Sequence, residues 1–139
     1  MIQRCAEEDL LEVLEIEKLS FAHPYPLFVF KRYLRTYFFI SEKDDRITGY
    51  VIGIKMGVKG VIISIAVHPS HRMKGIGSAL IRHIVKEMNV PILEVQVRRS
   101  NAVAQKFYIS LGFKKKEVIP CYYSNNEDAF IMVKSSELM

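Results

Sequence analysis

The segment that decides the fold reads Arg72-Met73-Lys74-Gly75-Ile76-Gly77-Ser78. It follows an apolar run typical of a strand, residues 61–67, and it precedes a pattern that predicts a helix from about residue 76 to 88. A glycine-rich turn at the start of a helix exposes backbone N–H groups, which favour a phosphate-bearing ligand. Arg72 and Lys74 add positive charge at the same place. The segment has neither the Gly-Lys-Ser/Thr order of a Walker A loop nor the Gly-x-Gly-x-x-Gly of dinucleotide-binding folds.

A second motif follows the next predicted strand, residues 92–97. It runs from residue 98 to 113 and predicts a helix over about 102–111. Asn101 is a good N-cap for this helix. Tyr108 lies two helical turns further on the same face, and Gly112 is placed to end the helix in the left-handed conformation. Taken alone, these features predict a capped helix that carries a tyrosine.

The rest of the chain adds the other elements of an α/β fold. The patterns predict a strand at 1–4, helices at about 7–18 and 26–35, a hairpin of strands 37–43 and 46–56, and strands near 113–119 and 129–133. We therefore predict a single α/β (α+β) domain over residues 1–139, with a mixed central sheet of about six to seven strands flanked by about four helices.

The composition is that of a globular domain, with 50% hydrophobic and 25% charged residues. No apolar run is long enough to span a bilayer, and the first residues lack the layout of a signal peptide. We therefore expect a cytoplasmic protein without a membrane partner. Cys5 and Cys121 are the two cysteines, and we expect isolated thiols, buried or half-buried, and no metal site.

The net charge of +5 raises the question of nucleic-acid binding. The basic residues are spread along the chain, and the two clusters are Arg72 with Lys74 and the run Lys114–Lys116. No RNA-binding motif of aromatic and basic residues and no helix-turn-helix pattern occurs. A polyphosphate-bearing cofactor explains the first cluster equally well, so nucleic acid is not expected as the main ligand.

Together the two motifs closely resemble those of the GNAT superfamily of acetyl-CoA-dependent N-acetyltransferases. The Arg-x-x-Gly-x-Gly turn at 72–77 resembles that family's pyrophosphate loop, and Ser-Asn-x-x-Ala-x-x-x-Tyr-x-x-x-Gly-Phe at 100–113 resembles its second half-motif. The tail has a Tyr-Tyr pair at 122–123 followed by Glu-Asp-Ala at 127–129. This tail resembles that of archaeal protein N-terminal acetyltransferases and of eukaryotic catalytic subunits related to bacterial RimI.

The resemblance implies a sheet that splays between its fourth and fifth strands, with acetyl-CoA (coenzyme A) entering the wedge. It implies cofactor contacts from the fourth strand, the glycine turn and the second motif, at Ile65, Ala66, Val67, Arg72, Met73, Lys74, Gly75, Ile76, Gly77, Ser78, Asn101 and Tyr108. The glycines matter because side chains there would keep the phosphate away from the backbone. For Asn101, a purely capping role is the alternative.

The resemblance gives Tyr108 a place beside the thioester sulfur. A tyrosine has a pKa of about 10 and a thiol of about 8.5, so complete proton donation to the thiolate is uphill by roughly 2 kcal/mol at unperturbed values. We therefore expect Tyr108 to hydrogen-bond the developing thiolate, with full proton transfer if the site shifts either pKa.

The general base is where this chain departs from its relatives. RimI-like enzymes tend to carry Glu, and some eukaryotic relatives His, at the position that is Gln96 here, and an amide cannot accept a proton at working pH. His23, near the point where some archaeal relatives use a carboxylate, and Glu94, which shares a strand face with Gln96, are candidates. His68 after the fourth strand is a further one. Alternatively, His23 lines the peptide groove and Glu94 is a solvated strand residue.

Two aromatic loops resemble the family's peptide-entrance loops and imply acceptor contacts at Phe21, Pro24, Tyr25, Tyr122 and Tyr123. Ordinary packing of loop aromatics is the alternative. The implied function is acetyl transfer to the N-terminal α-amine of proteins by direct attack in a ternary complex. Because an α-amine has a pKa of about 8 and a lysine of about 10.4, deprotonating the α-amine costs roughly 3 kcal/mol less.

Other functions stay open at this point. One is acetylation of lysine or of a small amine such as an aminoglycoside or polyamine. Such a small amine is a cation, so an acidic pocket would be expected to bind it. Another is a non-catalytic CoA-binding module, which Gln96 favours and Tyr108 disfavours. A homo-oligomer and an auxiliary subunit are both compatible with the sequence.

Overall fold

The computed structural model describes residues 1–135 and contains the predicted elements in the predicted order. In chain order these are β1 Ile2–Arg4, α1 Leu10–Ser20, α2 Leu27–Tyr33, β2 Tyr37–Lys43, β3 Arg46–Met56, β4 Lys59–Val67, α3 Ile76–Met88, β5 Ile92–Arg98, α4 Ala102–Ser110, β6 Lys114–Ile119 and β7 Ala129–Ser135. Short 3-10 turns at Glu7–Asp9 and Pro69–His71 precede α1 and the glycine turn. The predicted α/β fold is confirmed.

The strands of the described residues form one seven-stranded mixed sheet in the order β1-β2-β3-β4-β5-β7-β6. The antiparallel pairs include β1 with β2, β2 with β3, β5 with β7 and β6 with β7. β4 and β5 are parallel, with a register that runs from Lys59↔Ile92 to Ile62↔Val95. β4 then continues to Val67 and β5 to Arg98.

The chain divides into two compact units. Unit 1 comprises Met1–Ile54 and Ile63–Asn89, and unit 2 comprises Lys55–Ile62 and the chain from Val90 onward. The single domain over residues 1–139 stays a prediction, and its last four residues lie outside the described ones. None of the helices in residues 1–135 has the length and apolar composition needed to cross a bilayer.

In unit 1, alternation along β2 sends side chains to both faces of the sheet. Phe38 and Ile40 belong to a core cluster with side chains of α1 and α2, among them Phe30. Phe39 points the other way, and its ring lies 4.6 Å from that of His83 on α3. α3 buries a face at helical spacing that consists of Leu80, Ile81, Ile84, Val85 and Met88.

In unit 2, β5 alternates buried Leu93, Val95 and Val97 with more exposed residues. The helix α4 ends as predicted, because Gly112 adopts a left-handed φ of 96°. Lys134 Nζ donates a hydrogen bond to the carbonyl of Leu111 at this helix end, where a cation is favoured by the helix dipole.

The two cysteines have different surroundings. Cys5 is buried, and burial, helped by the charges of Asp9 and Glu8, raises the pKa of its thiol to about 12. Cys121 is exposed in the connection between β6 and β7, at a left-handed φ of 52°. The prediction of a buried or half-buried thiol is therefore wrong for Cys121, because the chain leaves the sheet there.

Candidate active site

The predicted phosphate-binding turn in unit 1 lies at the start of α3 and contains two residues in the left-handed conformation. Met73 has a φ of 65° and Gly75 a φ of 78°. A Cβ at Gly75 would meet no atom within 4 Å, so the backbone conformation rather than packing favours glycine there. No side chain among the described residues caps α3, and the first helical bond runs from the N–H of Ala79 to Gly75. Open space and unpaired donors fit a diphosphate.

Arg72 links this turn by hydrogen bonds to β4 and α1 within unit 1. Its Nε donates to the carbonyl of Val67 at 3.0 Å and its Nη2 to Ser20 Oγ at 3.3 Å. Lys74 is exposed and adds a second positive charge. His71 Nδ1 is buried without a hydrogen-bond partner in residues 1–135. Desolvation and then the charge of Lys74 lower the pKa of His71, so this ring is neutral at pH 7.

The predicted pantetheine strand is the last part of β4. Ala66 is buried, whereas Ile65 and Val67 are half-buried. These residues lie beyond Ile62, the last residue in the register with β5. After the strand, the N–H of His68 donates to the carbonyl of Thr48 at 2.8 Å and fixes the start of the turn.

At the start of α4 in unit 2, Asn101 acts as a helix cap. Its Oδ1 accepts the N–H of Ala104 at 3.0 Å. Gln105 Nε2 donates to the carbonyls of Arg98 and Arg99 at 3.3 and 2.8 Å, so the β5–α4 connection is held by side-chain bonds. The capping role of Asn101 is confirmed, and its contact with acetyl-CoA stays a prediction.

Tyr108 is a buried phenol on α4, with 5% of the residue exposed. Its ring lies edge-on to those of Phe107 and Phe113, with centroids 5.2 and 5.3 Å away. No side-chain hydrogen bond to its hydroxyl occurs among the described residues. Burial raises the pKa of Tyr108 well above its ordinary value, so the phenol keeps its proton and is available as a hydrogen-bond donor.

β5 places Gln96 and Glu94 on the same strand face, as predicted. Gln96 is exposed. Glu94 Oε1 accepts a hydrogen bond from Lys59 Nζ at 3.1 Å, and its side chain is 14% exposed. The ion pair occupies one of the two carboxylate oxygens of Glu94.

The loop between α1 and α2, which we call the unit 1 loop, comprises residues 21–26. Phe21 packs against the core, and the ring of Tyr25 lies edge-on to Phe30 with centroids 6.3 Å apart. His23 and Pro24 are exposed. The backbone N–H of Tyr25 donates to Glu17 Oε2 at 3.0 Å, which fixes the loop to α1.

Glu17 is a functional candidate that the sequence reasoning missed. It is 2% exposed, and the hydroxyl of Tyr50 on β3 donates to its Oε1. Ser64 Oγ on β4 lies 3.4 Å from the same oxygen and 3.0 Å from Tyr50 Oη. Burial raises the pKa of Glu17, and the hydrogen bonds from Tyr50, Tyr25 and Ser64 partly offset that rise. A signal was present, because Leu10, Val13 and Glu17 have the i, i+3, i+7 spacing of one helix face.

The connection between β6 and β7, which we call the unit 2 loop, comprises residues 120–128. The rings of Tyr122 and Tyr123 meet edge to face with centroids 5.0 Å apart. The guanidinium of Arg98 lies 3.8 Å from the ring centroid of Tyr123, and its Nη1 pairs with Glu127 Oε1 at 3.2 Å. Glu127 Oε2 accepts the N–H of Ser100 at 2.7 Å.

Hydrogen bonds hold Glu127 as an anion. Bonds from Ser100, followed by those from Arg98 and Asn125, lower the pKa of Glu127 to about 2 against a smaller opposing effect of desolvation. The neighbouring Asp128 accepts the N–H of Cys121 at 3.1 Å and pairs with Arg99 at 3.1 Å. The unit 2 loop is therefore held by its two carboxylates.

Comparison with known proteins gives one family. Residues 7–113 match the family model described as the acetyltransferase (GNAT) family. An uncharacterised N-acetyltransferase of Methanocaldococcus jannaschii is 35% identical over 143 residues, which cover 96% of this chain and 90% of that protein. An N-alpha-acetyltransferase of Sulfurisphaera tokodaii is 34% identical over 143 residues, which cover 89% and 86%. The crystal structure of the ribosomal-protein-S18-alanine N-acetyltransferase from Escherichia coli is similar, with a TM-score of 0.86, 29% identity and coverage of 97% and 92%.

Proposed function

Because the chain belongs to the acetyltransferase (GNAT) family, we propose that it acetylates the N-terminal α-amine of proteins. The chain is an N-acetyltransferase, and acetyl-CoA is its acetyl donor. The observation that carries the choice of acceptor is the similarity, over most of the chain, to an N-alpha-acetyltransferase. The similar bacterial structure is also named for acetylating the alanine of a ribosomal protein. A cytoplasmic location stays a prediction.

On this proposal the unit 1 turn holds the diphosphate of the donor. The unpaired N–H groups at the start of α3 and the charge of Lys74 supply the attraction, and the bonds of Arg72 hold the turn in shape. Backbone groups of residues 65–67 bind the pantetheine arm, and Asn101 contributes from the start of α4. Acetyl-CoA supplies an activated acyl carbon with a thiolate leaving group.

Tyr108 stabilises that leaving group as a hydrogen-bond donor. Its raised pKa makes complete proton transfer more costly than for a free phenol, while it keeps the donor proton in place. Removal of a hydrogen bond to a charged group costs about 1.5–3 kcal/mol, so Tyr108→Phe is expected to lower kcat by about 10- to 100-fold. The Kd of acetyl-CoA should change little, because the thioester sulfur is uncharged before transfer.

The acceptor peptide is proposed to contact the two aromatic loops, with Phe21, Pro24 and Tyr25 in unit 1 and Tyr122 and Tyr123 in unit 2. His23 and Glu94 are the sequence-based candidates for the proton acceptor. Glu94 is engaged by Lys59, whereas His23 is exposed in the unit 1 loop. With Gln96 at the usual base position, an α-amine is the acceptor that needs the least help in losing a proton.

Release of free thiol from acetyl-CoA tests the proposal. One peptide has a free α-amine and no lysine, and its partner has an acetylated N-terminus and one lysine. We expect turnover on the first at pH 7 and at least tenfold less on the second. Equal rates, or turnover on lysine or polyamines alone, would contradict the α-amine assignment. Binding of acetyl-CoA without turnover on any amine would indicate a CoA-binding module.

A further inference from the structure

Glu17 is the one buried carboxylate among residues 1–135. Burying a carboxylate costs free energy unless hydrogen bonds compensate it, and a leucine at this position of α1 would avoid that cost. The compensating groups come from three separate places, namely β3, β4 and the unit 1 loop. The carboxylate therefore joins the loop proposed for the acceptor to a pair of buried hydroxyls.

We infer that Glu17 takes up the proton that the acceptor amine loses, and that the hydroxyl of Ser64 relays this proton from the amine to Glu17. This inference rests on the proposed function. Ser64 is the group that contacts the amine, and Glu17 acts through it. Nothing in the sequence motifs assigns either residue a role.

The position of Ser64 on β4 supports this role. It directly precedes residues 65–67, the strand proposed for the pantetheine arm, and neighbouring strand residues are about 3.3 Å apart along the chain. Ser64 is 9% exposed, so it lies at the margin of the buried cluster. Its 3.4 Å separation from Glu17 Oε1 is long for a hydrogen bond, as is common before substrate binds.

The two oxygens of Glu17 have separate tasks. Oε2 accepts the N–H of Tyr25 and fixes the unit 1 loop, while Oε1 faces the hydroxyls of Tyr50 and Ser64. The titratable group that bonds Glu17 is Tyr50 from β3, and the Tyr25 phenol interacts in turn with Tyr50. No cation of residues 1–135 forms an ion pair with Glu17. Burial raises the pKa of Glu17, which is the direction a proton acceptor near neutral pH needs.

Ser64, Glu17 and the departing sulfur account for every proton that the acceptor amine loses. The ammonium gives one proton to Ser64 Oγ while the Ser64 hydroxyl proton moves to Glu17, which leaves a neutral amine and a protonated carboxyl. The amine nitrogen then bonds to the acetyl carbon, the carbon–sulfur bond breaks, and the second nitrogen proton ends on the sulfur. Glu17 returns its proton to solvent between turnovers.

The test is the pH dependence of kcat/KM for Glu17→Gln and Ser64→Ala with the α-amine peptide. At pH 7 about a tenth of an α-amine with a pKa of about 8 is already neutral, and at pH 9 nearly all of it is. We therefore expect both variants to be about tenfold slower than wild type at pH 7 and within about twofold at pH 9.

Glu12→Gln is the matched control. Glu12 lies on the same helix and its Oε2 accepts a backbone N–H, that of Ile47, at 3.1 Å. Among residues 1–135, Glu12 bonds Ile47 and Arg46 and has no bond to the unit 1 loop or to the hydroxyls of Tyr50 and Ser64. Its profile should parallel that of wild type at every pH. Circular dichroism confirms folding, and Ser64→Ala, the smaller change, carries the test if Glu17→Gln unfolds.

Three results would overturn the inference. The first is a loss in Glu17→Gln and Ser64→Ala that is the same at every pH, which indicates a structural role. The second is a wild-type profile in both variants. The third is that His23→Ala or Glu94→Gln, instead of the Glu17 and Ser64 variants, has a kcat/KM that is low at pH 7 and approaches that of wild type at high pH.

The outcome is separable from that of the proposed function. If lysine peptides alone turn over, the α-amine assignment fails, but the Glu17 inference holds provided the variants converge with wild type only near pH 10.4. If no amine turns over, both fail.

Discussion

The unit 1 loop and the unit 2 loop each present an exposed tyrosine and each is bonded to a glutamate, but the two glutamates are in opposite settings. Glu17 is buried among hydroxyls, and burial raises its pKa. Glu127 sits among donors near the surface, and hydrogen bonds lower its pKa to about 2. Burial thus disfavours the anionic form of Glu17, whereas hydrogen bonds favour the anionic form of Glu127. The direction of each pKa shift is therefore set by burial at Glu17 and by the hydrogen bonds from Ser100 at Glu127, not by the residue type.

The largest expected effect comes from truncating the buried glutamate. Glu17→Ala leaves the N–H of Tyr25 and the hydroxyls of Tyr50 and Ser64 without their acceptor, and buried unsatisfied donors cost about 1–3 kcal/mol each before relaxation. We expect the free energy of unfolding to fall by about 3 kcal/mol in urea titrations. A loss no greater than that of Glu127→Ala would remove the distinction between the two loops.

The pH dependence of stability should have opposite signs for the two glutamates. Because the folded-state pKa of Glu17 lies above 4.5, its contribution is present below pH 4.5 and is lost as pH rises through the folded value. Because that of Glu127 lies at about 2, its contribution is present above pH 4.5 and is lost as pH falls toward 2. Unfolding free energies of wild type, Glu17→Gln and Glu127→Gln from pH 3 to 8 measure both, and slopes of the same sign would contradict the comparison.

Loosening the unit 2 loop should affect acceptor binding more than the chemistry. Arg98→Ala removes both the cation over the ring of Tyr123 and the partner of Glu127. A cation–π contact at an exposed site contributes about 0.5–1 kcal/mol, so we expect the KM for the peptide to rise about threefold to fivefold with kcat nearly unchanged. Steady-state kinetics at pH 7 test this, with Arg99→Ala as control. A selective fall in kcat would place Arg98 in the chemical step instead.

The smallest effect is expected at the exposed pair of Arg99 and Asp128, whose nitrogen and oxygen are 3.1 Å apart. Exposed ion pairs contribute between about 0.2 and 1 kcal/mol and are screened by salt. Arg99→Ala should therefore shift the free energy of unfolding by less than about 1 kcal/mol, and less in 1 M salt. A larger, salt-independent loss would show that the unit 2 loop depends on this pair.

Local patterns predict most of the fold. The bounds of α3 match the prediction, and Gly112 ends α4 in the left-handed conformation as expected. These features depend on neighbours within a few residues, where periodicity and capping chemistry act. The turn that begins at Arg72 is predictable for the same reason, because its glycines and charges are contiguous.

Long-range contacts explain what the sequence did not predict. Glu17 meets Tyr50 and Ser64 across sequence separations of 33 and 47 residues. No local pattern links such positions, and a glutamate beside a lysine on a helix is typical of a solvated surface. The bonds of Arg98 and Glu127 also depend on a loop closing back, across a separation of 29 residues. Pairing of side chains that are distant in sequence is decided by tertiary packing.

Because Cys121 is exposed and Cys5 is buried, the natural sequence offers a single site for fluorescent labelling. A thiol-reactive fluorophore will find Cys121 at the surface and leave Cys5 untouched, because a buried thiol with a pKa of about 12 has almost no thiolate at neutral pH. The dye would then sit one residue before Tyr122. If the acceptor peptide contacts the unit 2 loop as proposed, the emission of the dye would report peptide binding without any engineered mutation.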